Sequence, residues 1–246
     1  MKGIILAGGL GSRLKPLTDV TNKHLLPVFN KPMINYPLQA LVEAGIRDIL
    51  IVTGGHHAGE FLRLLGNGSQ FGLKEIHYTY QTGESGIADA LRLAQDFSDG
   101  EKIVVILGDN IFECSLKPFV ESFAQQDSGA KILIKKVLHP ERFGVVSFAG
   151  KRVVAIEEKP KKPKSHYVVT GIYMYDSRVF NFIRGLKKSG RGEYEITDIN
   201  NRYLKEGLLT SDVLKGFWTD AGTFESLLTA NMLVAKKQGY TGKEQL

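Results

Sequence analysis

Through the first half of the chain, short β-branched runs alternate with stretches of helical period, and no other feature limits the fold as much. The alternation calls for βαβ units, whose crossovers return the chain to one edge and so make the strands run parallel in a shared sheet. Residues 4–7, 49–53, 76–80 and 103–107 read as the strands, with helices near 34–44, 58–65 and 87–97. In the last of these Ile87, Ala90, Leu91, Ala94 and Phe97 recur at helical spacing, so one face is buried. The second half changes character. Strand-like stretches at 130–137, 144–148, 153–157 and 167–175 crowd together, followed by helices near 177–187 and 198–206 and a last amphipathic helix at about 223–237. The expected architecture is α/β with a mixed sheet, the second half forming a lid or substrate subdomain over the carboxyl ends of the first strands. A polar tail after residue 239 is expected to fray.

A chain of 246 residues, 43% of them hydrophobic, is long enough to bury one sizeable core. The formal charge of +6 suits an anionic partner, but Lys and Arg are scattered, and the densest basic run, 159–164, carries two prolines and reads as a loop. No nucleic-acid partner is expected. Cys114 is the only cysteine, which excludes an intrachain disulfide and fits a reducing, cytoplasmic compartment. The N-terminal apolar run is too short for a signal sequence, and no stretch approaches the roughly 20 apolar residues of a membrane helix. No membrane partner is expected, and a homo-oligomer is compatible with this composition. The six histidines form no metal-spaced set, so zinc chemistry is not expected.

Directly after the first strand stands Gly8-Gly9-Leu10-Gly11-Ser12-Arg13-Leu14-Lys15-Pro16. Three glycines permit positive φ and let backbone N–H groups converge on one point, as a loop that cradles polyphosphate must. The same glycines also suit a tight turn between strand and helix. Arg13 and Lys23 add positive charge nearby, and Arg13 can grip two oxygens at once. A Walker A loop would need Gly-Lys-Ser/Thr where Gly11-Ser12-Arg13 stands. A dinucleotide fingerprint would need glycine at Leu14 and an acidic residue near Thr53.

Continuing past that loop, Asn22-Lys23-His24-Leu25-Leu26-Pro27-Val28 and Lys31-Pro32-Met33-Ile34 complete a pattern that resembles the sugar-phosphate nucleotidylyltransferases. Further stretches in the same order extend the likeness over nearly the whole chain. They include Gln81 with Gly86-Ile87-Ala88, Leu107-Gly108-Asp109-Asn110, Pro140 to Val146, Glu157-Glu158-Lys159-Pro160, Val169 to Tyr173, Gly192 to Asp198, and Trp218 to Thr223. Within that family the chain most resembles short-form glucose-1-phosphate thymidylyltransferases. The resemblance implies a Rossmann-like three-layer sandwich in one domain over 1–239. A nucleotide-binding half spans about 1–128 and a sugar-binding half about 129–222.

It also implies a reaction: the phosphate oxygen of a sugar 1-phosphate attacks the α-phosphorus of dTTP or UTP, and pyrophosphate leaves. Arg13, Lys23, Asp109 and Lys159 would be catalytic, with Asp109 and Asp220 binding Mg²⁺. Leu6, Gly8, Gly9, Gly11, Ser12, Arg13, Gln81 and Gly86 would hold the nucleotide. Gly144, Glu158, Lys159, Val169, Tyr173 and Arg191 would hold glucose 1-phosphate. Position and chemistry agree for Asp109, which follows the apolar run 104–107 and so reaches the carboxyl edge of the sheet, where α/β ligands bind. Two carboxylates plus phosphates suffice for Mg²⁺. By residue type alone, Gln81 is a strand-end polar group and Lys159 and Arg191 are surface cations.

The chain departs from that pattern in two places. Many relatives have Gly-Leu-Ala-Gln after the base-reading glutamine; here Gly86-Ile87-Ala88-Asp89 stands, which leaves uridylyl transfer open beside thymidylyl transfer. Longer members carry a further C-terminal helical segment completing an allosteric site, so such regulation is expected to be weak or absent. A non-catalytic nucleotide-sugar-binding protein is the second reading. A glycosyltransferase is disfavoured because Asp109-Asn110-Ile111 lacks the second carboxylate of a DxD motif.

Overall fold

An unbroken apolar strand must be covered on both faces, and β1 (Lys2–Ala7) is: Ile4 and Leu6 enter one core cluster while Ile5 and Ala7 enter another. The computed structural model describes residues 1–150 and 152–240; beyond Tyr240 the expected tail lies outside the described residues. After β1 come a hairpin of β2 (Pro27–Val28) and β3 (Lys31–Pro32), then α1 (Asn35–Glu43), β4 (Asp48–Gly54), α2 (Ala58–Leu65) and β5 (Glu75–Gln81). There follow α3 (Ile87–Arg92), α4 (Gln95–Ser98), β6 (Ile103–Leu107), β7 (Asn110–Phe112) and α5 (Lys117–Ala124). The second half comprises β8 (Ala130–Lys136), β9 (Gly144–Ala149), β10 (Arg152–Glu158), β11 (Tyr167–Tyr175), α6 (Arg178–Arg184), α7 (Ile196–Lys205), β12 (Leu209–Val213), β13 (Trp218–Asp220) and α8 (Phe224–Lys237).

Among the described residues nine strands form one sheet. Its main path runs β10-β9-β11-β6-β1-β4-β5, and β8 pairs with both β11 and β12. The four strands of the first half are parallel; β11 joins them antiparallel to β6, Ile172 opposite Ile106, so both halves share a continuous sheet. Alternation then sorts side chains between two layers. Val105 and Tyr173 face α3, α6 and α7, whose Leu91, Phe180 and Tyr203 are buried there. Val104 and Met174 face α1, α2 and α5, through Leu41, Phe61 and Phe123. The result is the expected three-layer sandwich. A smaller cluster, Val28, Met33, Ile111, Ala221, Ala230 and Val234, fastens α8 to the β2–β3 hairpin.

Several elements differ from their expected outlines. The helix expected at 87–97 breaks in two, because Leu93 and Ala94 donate to carbonyls three residues back instead of four. Its predicted face is buried all the same, with Ala90, Leu91 and Ala94 almost wholly enclosed. Five short strands, β2, β3, β7, β12 and β13, and helix α5 have no counterpart among the elements expected from sequence. Tyr240 sets its ring edge-on to Phe29 at 4.9 Å, so the chain is still packed one residue past the expected end of order.

The chain direction reverses at the site's foundation. From β1 the sequence of parallel strands steps outward through β4 to β5, and β6 then returns to the other side of β1. Loops leaving the carboxyl ends of β1 and β6 therefore diverge and open a crevice, the usual ligand position in such sheets. Those loops are Gly8 to Pro16 and Gly108-Asp109.

Candidate active site

Close approach, more than φ, explains the glycine loop. Of its three glycines only Gly11 has a positive φ, 70°, so the expectation that all three serve that purpose is corrected. A Cβ on Gly8 would stand 2.6 Å from Oε1 of Gln81, and one on Gly9 would touch Cε of Lys23 at 3.4 Å. The loop must lie flat against the ends of β5 and the Lys23 side chain, and only glycine leaves room. Its Leu10 N–H donates to Oε1 of Glu84 at 2.8 Å.

Lys23 and Asp109 form the central pair, Nζ to Oδ2 at 2.6 Å, each side chain only 13% exposed. Burial works against a charged Asp109, but the Lys23 charge and the hydrogen bonds from Lys23 and Asn110 together hold the carboxyl well below the usual carboxylate range. Asn110 adds a hydrogen bond from Nδ2 to Oδ1 of Asp109 at 3.1 Å. Beside the pair, His24 is buried, and burial together with Lys23 pushes its pKa down to about 3. The ring is therefore neutral at physiological pH, and its Nδ1 donates to Oδ1 of Asn22 at 2.8 Å.

Asp220 comes to the same place from the far end of the chain. In a two-stranded antiparallel ladder β13 sets Asp220 opposite Asn110 of β7, and Ala221 N–H donates to the Asp109 carbonyl at 2.8 Å. A single point beside Gly222, where a Cβ would be, lies 3.6 Å from Oδ2 of Asp220, 3.7 Å from Oδ2 of Asp109 and 3.1 Å from Nη2 of Arg13. Burial, then the neighbouring Asp109 charge, raises the Asp220 pKa to about 6. Two carboxylate oxygens repelling one another across a short gap are the donor chemistry of a hard divalent cation. Among the described residues no cluster of three or more His, Cys, Asp or Glu side chains forms a metal cage. The protein thus offers an incomplete oxygen set of the kind that phosphate and water complete.

Two cavities meet at Asp109. One, of about 370 Å³, is lined by Leu6, Gly8, Gly9, Lys23, Gln81 and Gly86, among others. The second, of about 420 Å³, takes in Arg13, Gly144, Glu158, Lys159, Val169, Tyr173, Arg191 and Asp220. Asp109, Ile87, Leu107 and Glu193 border both. The residues expected for nucleotide and for sugar phosphate therefore segregate, with three differences. Gly11 and Ser12 line neither cavity, and Arg13 lines the second instead of the first. Glu158 accepts from the Thr197 hydroxyl at 2.5 Å, and Gly144 leaves space for that pair.

Arg191 occupies the rim, yet its guanidinium is engaged with Glu193 at 2.9 Å and with Glu195 at 3.1 Å, which leaves less of it for phosphate than the sequence reading expects. Lys159 follows β10 with φ 44°, a left-handed conformation sustained by its N–H bond to the Phe143 carbonyl at 3.0 Å. Sequence reasoning passes over Arg142, which borders the second cavity, and Asn110, whose Oδ1 accepts from Gly171 N–H at 3.0 Å and Trp218 Nε1 at 2.7 Å. The run Pro140 to Gly144 before β9 was the available signal for Arg142; Asn110 had only its place after Asp109.

The sequence matches the Nucleotidyl transferase family over residues 2–237. The chain belongs to this family. It is 48% identical to a glucose-1-phosphate thymidylyltransferase of Neisseria meningitidis over 97% of this chain and 84% of that protein. A Mycobacterium tuberculosis protein of the same name is 47% identical over 94% of this chain and 81% of its own length. Among solved structures, one from Bacillus anthracis in complex with sucrose, described as a candidate glucose-1-phosphate thymidylyltransferase, superposes with a TM-score of 0.90. It is 55% identical, with 95% of this chain and 94% of that one covered. A UDP-glucose pyrophosphorylase bound to UDP-glucose shares the fold at 23% identity and a TM-score of 0.84, covering 96% of this chain and 98% of its own. This nucleotidyltransferase thus has its two cavities and carboxylate pair on the fold of enzymes that handle nucleotide sugars. Among its described residues no helix is long and apolar enough to cross a membrane.

Proposed function

We propose that the chain is a glucose-1-phosphate thymidylyltransferase, transferring the thymidylyl group of dTTP to glucose 1-phosphate to give dTDP-glucose and pyrophosphate. Its relatives at 46–48% identity carry that name. The observation that carries the reading to this molecule is the meeting of two cavities at one buried, ionised aspartate. In this reading residues 1–128 serve the nucleotide, 129–222 the sugar phosphate, and helix 223–237 braces the two. Nucleotide-sugar synthesis and a single cysteine fit a cytoplasmic location.

The nucleophile is already an anion, so no side chain has to activate it; the difficulty is gathering two polyanions. Loop amides and Lys23 receive the triphosphate in the smaller cavity, with Gln81 and Gly86 at its base end. Glu158, held by Thr197, accepts sugar hydroxyls, and Lys159 and Arg142 bind the sugar phosphate. Arg13, beside both carboxylates on the side of the larger cavity, faces the phosphates where the two substrates meet and neutralises charge there. Asp109 and Asp220 would hold Mg²⁺. Bound there, the cation supplies Lewis-acid neutralisation at the α-phosphate.

Purified protein mixed with Mg²⁺, dTTP and glucose 1-phosphate should release pyrophosphate and form dTDP-glucose, separable by ion-exchange chromatography. UTP and other sugar 1-phosphates belong in the same panel. Binding of dTDP-glucose without turnover of any pair would establish the non-catalytic reading instead.

A further inference from the structure

Gln81 closes the base end of the smaller cavity, and its amide is oriented by neighbours. It is 6% exposed at the end of β5. Its Nε2 stands 3.3 Å from Oδ2 of Asp89 and 3.5 Å from the Gly86 carbonyl. Both partners are acceptors only, so turning the amide over would press Oε1 against two oxygens. Oε1 instead lies 2.6 Å from where a Cβ on Gly8 would stand, and no described residue donates to it. Asp89 is itself anchored, Oδ1 to Nη2 of Arg92 at 3.0 Å, which leaves Oδ2 for the glutamine.

Resting on the thymidylyltransferase reading, we infer that Asp89 is the residue that sets base specificity, by committing both Gln81 amide hydrogens to the protein and presenting only the carbonyl oxygen to the base. A lone acceptor matches an imide, whose ring nitrogen carries a hydrogen, and opposes cytosine, whose corresponding ring nitrogen is itself an acceptor. Two acceptors facing each other in a buried site leave both unpaired, the strongest form of rejection a small pocket has. Asp89 touches no substrate; it is a positioning residue. Thymine and uracil share the imide edge, so Asp89 separates imide bases from cytosine and leaves thymine against uracil to the space around the methyl group.

Asp89→Asn keeps the shape and removes the obligate acceptor, because an asparagine amide can rotate to donate and let Gln81 turn its own NH₂ toward the base. Steady-state kinetics with dTTP, UTP and CTP, each with saturating glucose 1-phosphate, test this. In the variant, kcat/KM for dTTP should fall roughly tenfold through KM, kcat staying within about threefold, and discrimination against CTP should shrink by roughly tenfold to a hundredfold. The dTTP-to-UTP ratio should not move. Arg92→Ala, at an exposed position, should shift the CTP ratio the same way by less. A purely structural role for Asp89 at the start of α3 would lower melting temperature and activity with every triphosphate in proportion; that result, or an unchanged CTP ratio in a folded variant, overturns the inference. Wild-type protein that turns over no triphosphate overturns the functional reading itself, whereas active wild type with indifferent variants sinks only the role of Asp89.

Discussion

Two aspartates face one point with opposite proton affinities, and their amide variants should move stability in opposite directions. Asp109 has its folded-state pKa below the unfolded value, so its pairing with Lys23 stabilises the protein above about pH 4 and that contribution is lost as pH falls further. Asp109→Asn leaves Lys23 largely buried without a counter-charge and should cost about 3 kcal/mol in urea unfolding at pH 7.5. It should also lower kcat by roughly a hundredfold or more; near-normal turnover would remove Asp109 from the chemistry. Asp220 is the reverse case. Its pKa rises from 3.8 to about 6 on folding, so between those values the folded state binds more protons and stability declines as pH climbs through the interval. Without divalent metal, Asp220→Asn should therefore be more stable than wild type at pH 7.5 by about 1–3 kcal/mol, and no different near pH 3.5. Excess Mg²⁺ should close that gap by stabilising only the wild type. Destabilisation by Asp220→Asn in metal-free buffer at pH 7.5 would contradict the repulsion described above.

At the scale of elements, a three-residue ladder decides whether the second carboxylate arrives. Strands β7 and β13 are too short to form alone; they pair because Asn110 ties Gly171 of β11 to Trp218, 108 positions away from it. Trp218 also meets the Phe143 ring edge-on at 5.3 Å. Trp218→Phe preserves an aromatic against Phe143 but deletes the bond to Asn110, so it should cost about 1 kcal/mol of stability. Because Asp220 lies two residues on, the same change should raise the Mg²⁺ concentration at half-maximal rate several-fold while the KM for glucose 1-phosphate holds. An unaltered Mg²⁺ titration would mean that the ladder does not position the metal site. The turn after β10 plays the corresponding part on the side proposed for the sugar phosphate: it fixes Lys159 through the Phe143 carbonyl. Lys159→Ala should raise the KM for glucose 1-phosphate roughly tenfold and leave that for dTTP within about twofold; the reverse pattern would assign Lys159 to the nucleotide.

For the whole molecule, the sheet that runs unbroken from β5 to β10 holds two cavities side by side, so both substrates can be present together. Initial-rate plots should intersect, and pyrophosphate should not exchange into dTTP unless glucose 1-phosphate is added; exchange without the sugar would point to a covalent nucleotidyl-enzyme. Much of this was legible in the chain. Unbroken runs such as Val104 to Leu107 announce strands covered on both sides, and the order of loops after β1 and β6 puts glycines and Asp109 at one crevice. Those features depend on residues a few places apart, where backbone preference and burial pattern are written locally. The tertiary structure alone decided which glycine needs a left-handed φ, how Arg191 is shared between Glu193 and Glu195, and which way Gln81 presents its amide. It also supplied the geometry by which Asp220 faces Asp109, a pairing that the sequence offered only through its family resemblance. Each of these is a balance of charge, hydrogen bonding and space among groups distant in the chain, and that balance has no value until folding brings them within a few ångströms.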